Sequence, residues 1–279
     1  MSEQYRWKKT KEKDIPAAAS FLRGMEDDCV TACGRFLESP KGCLWKLSGE
    51  NNAIAALLIS SRSTLLPVSR LSRETPRPEF LKNLSRDKKI HSIQGLKNDV
   101  LVFEKEMEKH AKIQDIFDYD LMSLENFSIE KKESARPENL TFRVPQLADL
   151  DKIAKLQEGY EMEEVLPKGG TFNPQASRLN IANIIARGKI LAAEIGGTLV
   201  GKINVSAVSF TRYLVGGVYT RPDYRGLGIA REMTQEFISS LLSEGRGITL
   251  FVKKNNPAAK KIYAGLGFTV RGDYRITYF

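Results

Sequence analysis

The chain has 279 residues, 42% of them hydrophobic and 28% charged, with 43 Lys and Arg against 34 Asp and Glu for a net charge of +9. That length suits two domains, and the composition excludes a disordered or fibrous protein. There is no run long and apolar enough for a membrane span and no apolar signal core behind Met1; three cysteines (Cys29, Cys33, Cys43) make no disulfide framework, so a cytoplasmic protein is expected.

In the first half, apolar spacing predicts helices within 15–37 and a hairpin from residues 45–47 and 53–59. A strand follows at 64–68, a short helix at 80–84 and a strand at 89–95. Val100, Leu101, Phe103, Glu104 and Met107 lie in helical register, and 118–124 reads as a strand. Cys29 and Cys33 are four apart on a predicted helix and read as small buried side chains. His91 and His110 have no third ligand in view, so no metal is expected.

Residues 127–139 are polar, charged and broken by Pro137, the chemistry of a linker. The boundaries expected are therefore a domain at 1–126 and another at 140–279. In the second, a strand at 140–144 precedes a helix bearing Leu147, Leu150, Ile153, Ala154 and Leu156. A helix at 176–187 follows, then strands at 190–195 and 199–208 around the Gly196-Gly197 turn signal. A strand at 214–220 contains Gly216-Gly217, which suggests a bulge. A helix at 229–242, a strand at 248–252, a helix at 257–264 capped by Asn256, and a strand at 274–279 complete the chain. The order β-α-α-β-β-β-α-β-α-β defines an α+β (mixed α/β) fold class.

The third internal strand of this half runs into Arg225-Gly226-Leu227-Gly228-Ile229-Ala230 and then a helix. Amides at a helix start have no intrahelical partner, and the helix dipole adds partial positive charge there. Gly226 and Gly228 carry no Cβ to hold an anion away from those amides, and Arg225 adds a full charge. The pattern is neither a dinucleotide fingerprint nor a Walker loop. Residues 1–140 carry 24 basic and 22 acidic side chains, and 141–279 carry 19 and 12, so the positive charge lies with this loop. On charge alone nucleic acid, an acidic surface, a phosphate-bearing cofactor and a merely basic surface all stay open.

These residues resemble the GNAT superfamily of N-acetyltransferases. The loop fits that family's Arg/Gln-x-x-Gly-x-Gly/Ala signature, and Asn256, Ala259, Tyr263, Gly267 and Phe268 fit its Asn-x-x-Ala…Tyr…Gly-Phe segment. The resemblance covers roughly 140–279 and implies acetyl-CoA as co-substrate. It implies that the pyrophosphate lies on the amides of Arg225, Gly226, Leu227, Gly228, Ile229 and Ala230, and that Arg225, Lys253, Lys254, Lys260 and Lys261 lie around cofactor phosphates, without nucleic acid or a membrane. It also implies that the pantetheine arm runs beside Val218, Tyr219 and Thr220, with Asn256 and Ala259 near the cofactor and Tyr263 as the general acid. Val218 N–H would polarise the thioester carbonyl. The expected activity is transfer of an acetyl group to a primary amine by direct attack in a ternary complex. A non-enzymatic acyl-CoA-binding or regulatory protein is the rival. The acceptor, a small molecule or a peptide, is open, as are the general base and a homodimer. Glu194 and the trio Glu161, Glu163 and Glu164 are the carboxylates in range; each reads equally as solvated surface.

The first half repeats the order of elements, which suggests a second, degenerate GNAT-like domain. Each domain is expected to be a twisted, mostly antiparallel sheet flanked by helices. The first half's loop at 70–78 has no glycine, and Pro76 and Pro78 remove two backbone donors, so it is expected to bind no CoA and to shape the acceptor cleft instead.

Overall fold

The computed structural model describes residues 5–40, 43–49, 51–61, 63–87, 90–125 and 137–279; most of the expected linker lies outside these. In the first half, strand β1 (Arg6–Lys9) leads into helices α1 (Ile15–Arg23) and α2 (Val30–Glu38). Strands β2 (Cys43–Ser48), β3 (Ile54–Ser61) and β4 (Thr64–Ser69), helix α3 (Leu81–Asp87), strand β5 (Ser92–Leu96), helix α4 (Lys97–Met107) and strand β6 (Asp115–Leu124) follow. The second half repeats the series. Strand β7 (Leu140–Arg143) is followed by α5 (Leu150–Tyr160), α6 (Pro174–Ala186), β8 (Ile190–Ile195), β9 (Thr198–Val208) and β10 (Arg212–Thr220). Then come α7 (Ile229–Leu242), β11 (Gly247–Lys253), α8 (Pro257–Gly265) and β12 (Thr269–Tyr278).

Local chemistry explains the boundaries. Asn173 and Asn256 each accept a hydrogen bond at 3.0 Å from the amide three residues on, Ala176 and Ala259, with proline at the first helical position. Gly196 and Gly197, at φ +54° and +79°, supply the two left-handed residues that join β8 to β9.

The strands form one sheet in the order β1-β2-β3-β4-β5-β12-β6-β11-β10-β9-β8-β7. Among the described residues only β4–β5 and β10–β11 pair in parallel, so the mixed, mostly antiparallel class expected from sequence holds. Local patterning does not carry how the half sheets meet. They exchange their last strands. β6 of the first half pairs with β11 of the second, and β12 of the second pairs with β5 of the first. β6 and β12 then pair with each other, Tyr119 opposite Tyr274. Alternation of apolar residues states which face of a strand is buried, not which strand lies beside it.

Helices cover both faces. Around β8–β11, Met233, Phe237 and Ile238 of α7 and Tyr263 of α8 pack on one face. Ile153 and Leu156 of α5 and Ile181 and Ile185 of α6 pack on the other with Tyr219. In the first half α1 and α2 supply Phe21, Leu22, Cys33 and Phe36 to one core, while α3 and α4 supply Leu81, Leu84, Val100 and Phe103 to another.

Charge also joins the halves. Buried Glu26 accepts hydrogen bonds from the Ser209 hydroxyl, from Thr211 N at 2.7 Å and from Thr211 Oγ1 at 2.8 Å. Arg212 pairs with Asp27 and Glu125, and Arg275 with Asp118 at 2.9 Å and Glu104 at 3.3 Å. A buried carboxylate needs such donors to offset its lost hydration.

Candidate functional site

β10 and β11 pair in parallel only from Arg212↔Gly247 to Val215↔Leu250. Both strands run on, to Thr220 and Lys253, so beyond Val215 they part and leave a gap. On its other edge β10 skips register between Gly216, opposite Asn204, and Tyr219, opposite Lys202. Gly217 and Val218 thus face a single partner residue, which is the bulge expected at Gly216-Gly217. Gly217 has φ +60°, a conformation that costs glycine nothing and other residues a good deal.

At the end of β10 a short turn (Pro222–Tyr224) precedes Gly226 and Gly228, both left-handed at φ +78° and +75°. Added Cβ atoms on these glycines would meet nothing within 4 Å, so the space before them is open. Among the described residues, the amides of 226–231 make no backbone hydrogen bonds. Ile229 is buried in the core and anchors the loop, Ala230 lies in the first turn of α7, and Leu227 is exposed. Donors facing open space at the head of a helix fit an anionic group. Thr220 Oγ1, next to the loop, is buried and has no hydrogen-bond partner among the described residues.

Arg225 has partners within the fold. Its Nε donates to the Thr220 carbonyl at 3.0 Å, and its Nη2 donates to the Glu163 carboxylate at 2.7 Å. Tyr219 donates to the same carboxylate at 3.1 Å, and the guanidinium lies 5.6 Å from the Tyr219 ring centre. Arg225 therefore ties the glycine loop to the π-helical turn Glu161–Val165 that follows α5. Its charge is matched within the fold. Tyr219 also fixes α5: a Cβ on Gly159 would fall 2.3 Å from its hydroxyl.

The lysines expected around phosphates are mostly paired as well. Lys253 meets Glu164 at 3.2 Å, Lys254 meets Asp120 at 3.1 Å, and Lys260 meets Asp120 at 2.6 Å. Strand exchange is the cause: β6 brings Asp120 across from the first half to the start of α8. Glu194, one carboxylate in range from sequence, pairs with Arg143 at 2.8 Å at the sheet edge between β7 and β8. Glu161 accepts from Gln157 at 2.6 Å.

Tyr263 lies on α8, buried, its ring edge-on to Phe268 at 5.9 Å. Asn256, Ala259 and Tyr263 share that helix, with the Asn256 oxygen engaged in capping. Burial, and then the neighbouring Tyr160 and Glu164, push the Tyr263 hydroxyl above its usual range, so it is protonated at neutral pH. Tyr160, at the end of α5, is raised to about 12 by burial, with a backbone hydrogen bond from Gly217 working against it.

Three residues near the gap escape sequence reasoning. Lys202 on β9 is fully buried; its Nζ donates to the Gly217 carbonyl at 2.8 Å and to Asn204 Oδ1 at 3.1 Å. The other two are Tyr160 and, from the first half, Tyr119 on β6, which is paired with Lys253 of β11. The available signal is a lysine inside the apolar run Val200-Gly201-Lys202-Ile203. Among the described residues, no group of three His, Cys, Asp or Glu could hold a metal ion, and no helix is long and apolar enough to cross a membrane.

Residues 156–268 match the model of the Acetyltransferase (GNAT) family. Among solved structures, a GCN5-related N-acetyltransferase from Sphaerobacter thermophilus superposes with TM-score 0.62 at 17% identity, over 99% of this chain and 95% of that one. A GNAT-family acetyltransferase from Colwellia psychrerythraea gives 0.59 at 13%, over 98% of both chains. A tandem GNAT protein of the clavulanic acid biosynthesis pathway gives 0.59 at 10%, over 99% and 98%. At such identities the likeness shows the fold, which is shared along nearly the whole chain. No curated protein matches the chain in sequence.

Proposed function

We propose that the second half is an N-acetyltransferase that moves an acetyl group from acetyl-CoA to a primary amine by direct attack in a ternary complex. The observation that carries this reading is the parting of β10 from β11 beyond Val215 and Leu250, directly below an open, glycine-bearing helix start. Acetyl-CoA supplies the acetyl group as a thioester. The amides of 226–230 would hold its pyrophosphate. The backbone of Val218 and Thr220 would hold the pantetheine arm along the freed edge of β10, with Val218 N–H donating to the carbonyl where negative charge develops. Tyr263, kept protonated by burial, would give its proton to the departing thiolate. A C–N bond forms, the C–S bond breaks, and the amine's surplus proton leaves to solvent.

The turn Glu161–Val165 stands over the gap through Glu163, which Tyr219 and Arg225 both meet, and Tyr278 of β12 donates to the Val165 carbonyl at 3.5 Å. The first half, whose strand β6 pairs with β11, would shape the acceptor side without holding CoA itself. Incubation with acetyl-CoA and a panel of amines, with thiol release as readout, tests the proposal. Release with at least one amine supports it. Tight acetyl-CoA binding with no release on any amine would assign an acyl-CoA-binding protein instead.

A further inference from the structure

A lysine with no exposed surface is costly unless it is neutralised or well partnered. Lys202 has neither solvent nor an ion-pair partner among the described residues. Two of its three donor positions are used on the Gly217 carbonyl, 2.8 Å away, and on Asn204 Oδ1, 3.1 Å away. Nζ also lies 4.8 Å from the centre of the Tyr160 ring, a position suited to an ammonium. The bulge is fitted around this pair. A Cβ at Gly217 would stand 2.1 Å from Asn204 Oδ1 and 2.7 Å from Lys202 Nζ, so only glycine admits both.

The acceptor of the lysine bond belongs to the peptide unit whose other end is Val218 N–H. That peptide is trans, so its C=O and N–H point in opposite directions. With the carbonyl held by Lys202, Val218 N–H is directed away from the lysine. A hydrogen bond to a peptide carbonyl draws electron density from the nitrogen and makes its N–H a stronger donor; the effect grows when the donor is charged and buried.

With acetyl transfer in the gap as proposed above, we infer that Lys202 is a positioning residue: by holding the Gly217 carbonyl it orients and polarises the Val218 N–H that faces the thioester. Every element packed against it contributes a neighbour. β10 offers the Gly217 carbonyl and Tyr219, whose hydroxyl is engaged with Glu163; β8 offers only Ala192. α5 offers Tyr160, and the turn after it offers Glu161, the charged group that faces the lysine. Burial pulls the ammonium down to about 7, with Glu161 working the other way. The polarising effect is full below that value and fades as pH rises through it.

The test compares wild type with Lys202→Met, which keeps the stem and removes the donors, and with Lys202→Gln, which keeps an uncharged donor. Acetyl-CoA affinity, thermal unfolding and single-turnover transfer to one amine are measured from pH 5.5 to 9. Taking the ratio of wild-type to variant rate cancels titration of the amine. The expected ratio for Lys202→Met is roughly 10 to 100 below pH 7 and falls as pH rises, with acetyl-CoA affinity within about twofold of wild type. Lys202→Gln, folded or not beside Lys202→Met, is expected to give a smaller ratio with the same pH trend. A ratio of one, or a ratio independent of pH, would overturn the inference while leaving acetyl transfer intact. A wild type that binds acetyl-CoA but releases no thiol with any amine would overturn the transfer reading and the inference with it.

Discussion

The two halves follow one plan and differ where it matters. In the second, the strand before the loop ends in Gly226 and Gly228, open space and unused amides. In the first, the corresponding loop closes on itself. Ser69 Oγ and Thr75 Oγ1 lie 2.6 Å apart, Thr75 donates to the Ser72 carbonyl at 2.6 Å, and Trp7 donates to the Pro76 carbonyl at 2.9 Å. The amides that open α3 are spent locally, Leu81 on Pro78 at 2.9 Å and Asn83 on Phe80 at 3.1 Å. The gaps differ too. β4 and β5 also part, after Leu65↔Ile93, but Leu66, Val68, Cys29, Met25 and Tyr274 line the narrow cleft that remains. The exchange is reciprocal: Tyr274 of the second half lines the first half's cleft, while Tyr119 of the first half stands opposite Lys253 of β11, the strand that bounds the second half's gap.

The sharpest way to break this asymmetry is Tyr263→Phe. Transfer should fall roughly 10²–10⁴-fold with acetyl-CoA affinity nearly unchanged; equal turnover would remove Tyr263 from the chemistry. The seam between halves is tested by Glu26→Ala, which strands Thr211 N–H and the Ser209 hydroxyl. Denaturant unfolding should show a loss of about 2–4 kcal/mol, and a loss within error would mean the seam is held by other contacts. Gly228→Val forces a β-branched residue into φ +75°. Strain of about 1–3 kcal/mol should weaken acetyl-CoA binding, whereas Pro78→Gly in the first half's loop should leave it unchanged.

The smallest effect concerns pH. Burial raises Asp99, which accepts from Ser69 N at 3.0 Å in the first half's cleft, to about 7. A carboxyl whose folded pKa exceeds its unfolded value binds its proton more tightly in the fold, so stability falls as pH rises from the unfolded value, about 4, toward 7. Unfolding free energy should drop by about 1–2 kcal/mol between pH 5 and 8, and Asp99→Asn should flatten that slope. A wild-type slope of zero would show that Asp99 is ionised throughout.

Much of this was legible in the sequence because its causes are local. The glycine loop, the Asn256 cap, the Gly216-Gly217 bulge and the repeated order of elements each depend on residues a few positions apart. What escaped depends on distant partners. The pairing of β6 with β11 carries no local mark, and neither does the Asp120 that it brings to Lys254 and Lys260. The Glu163 partner of Arg225 lies 62 residues earlier and is invisible from the loop. Lys202 meets the Gly217 carbonyl only through the bulge, 15 residues along the chain.

The central claim is that one half holds acetyl-CoA and the other does not. Calorimetric titration of the full chain with acetyl-CoA tests it most directly. One molecule should bind per chain, and Gly228→Val should weaken that binding. Two molecules per chain, or binding that Gly228→Val leaves untouched, would contradict it.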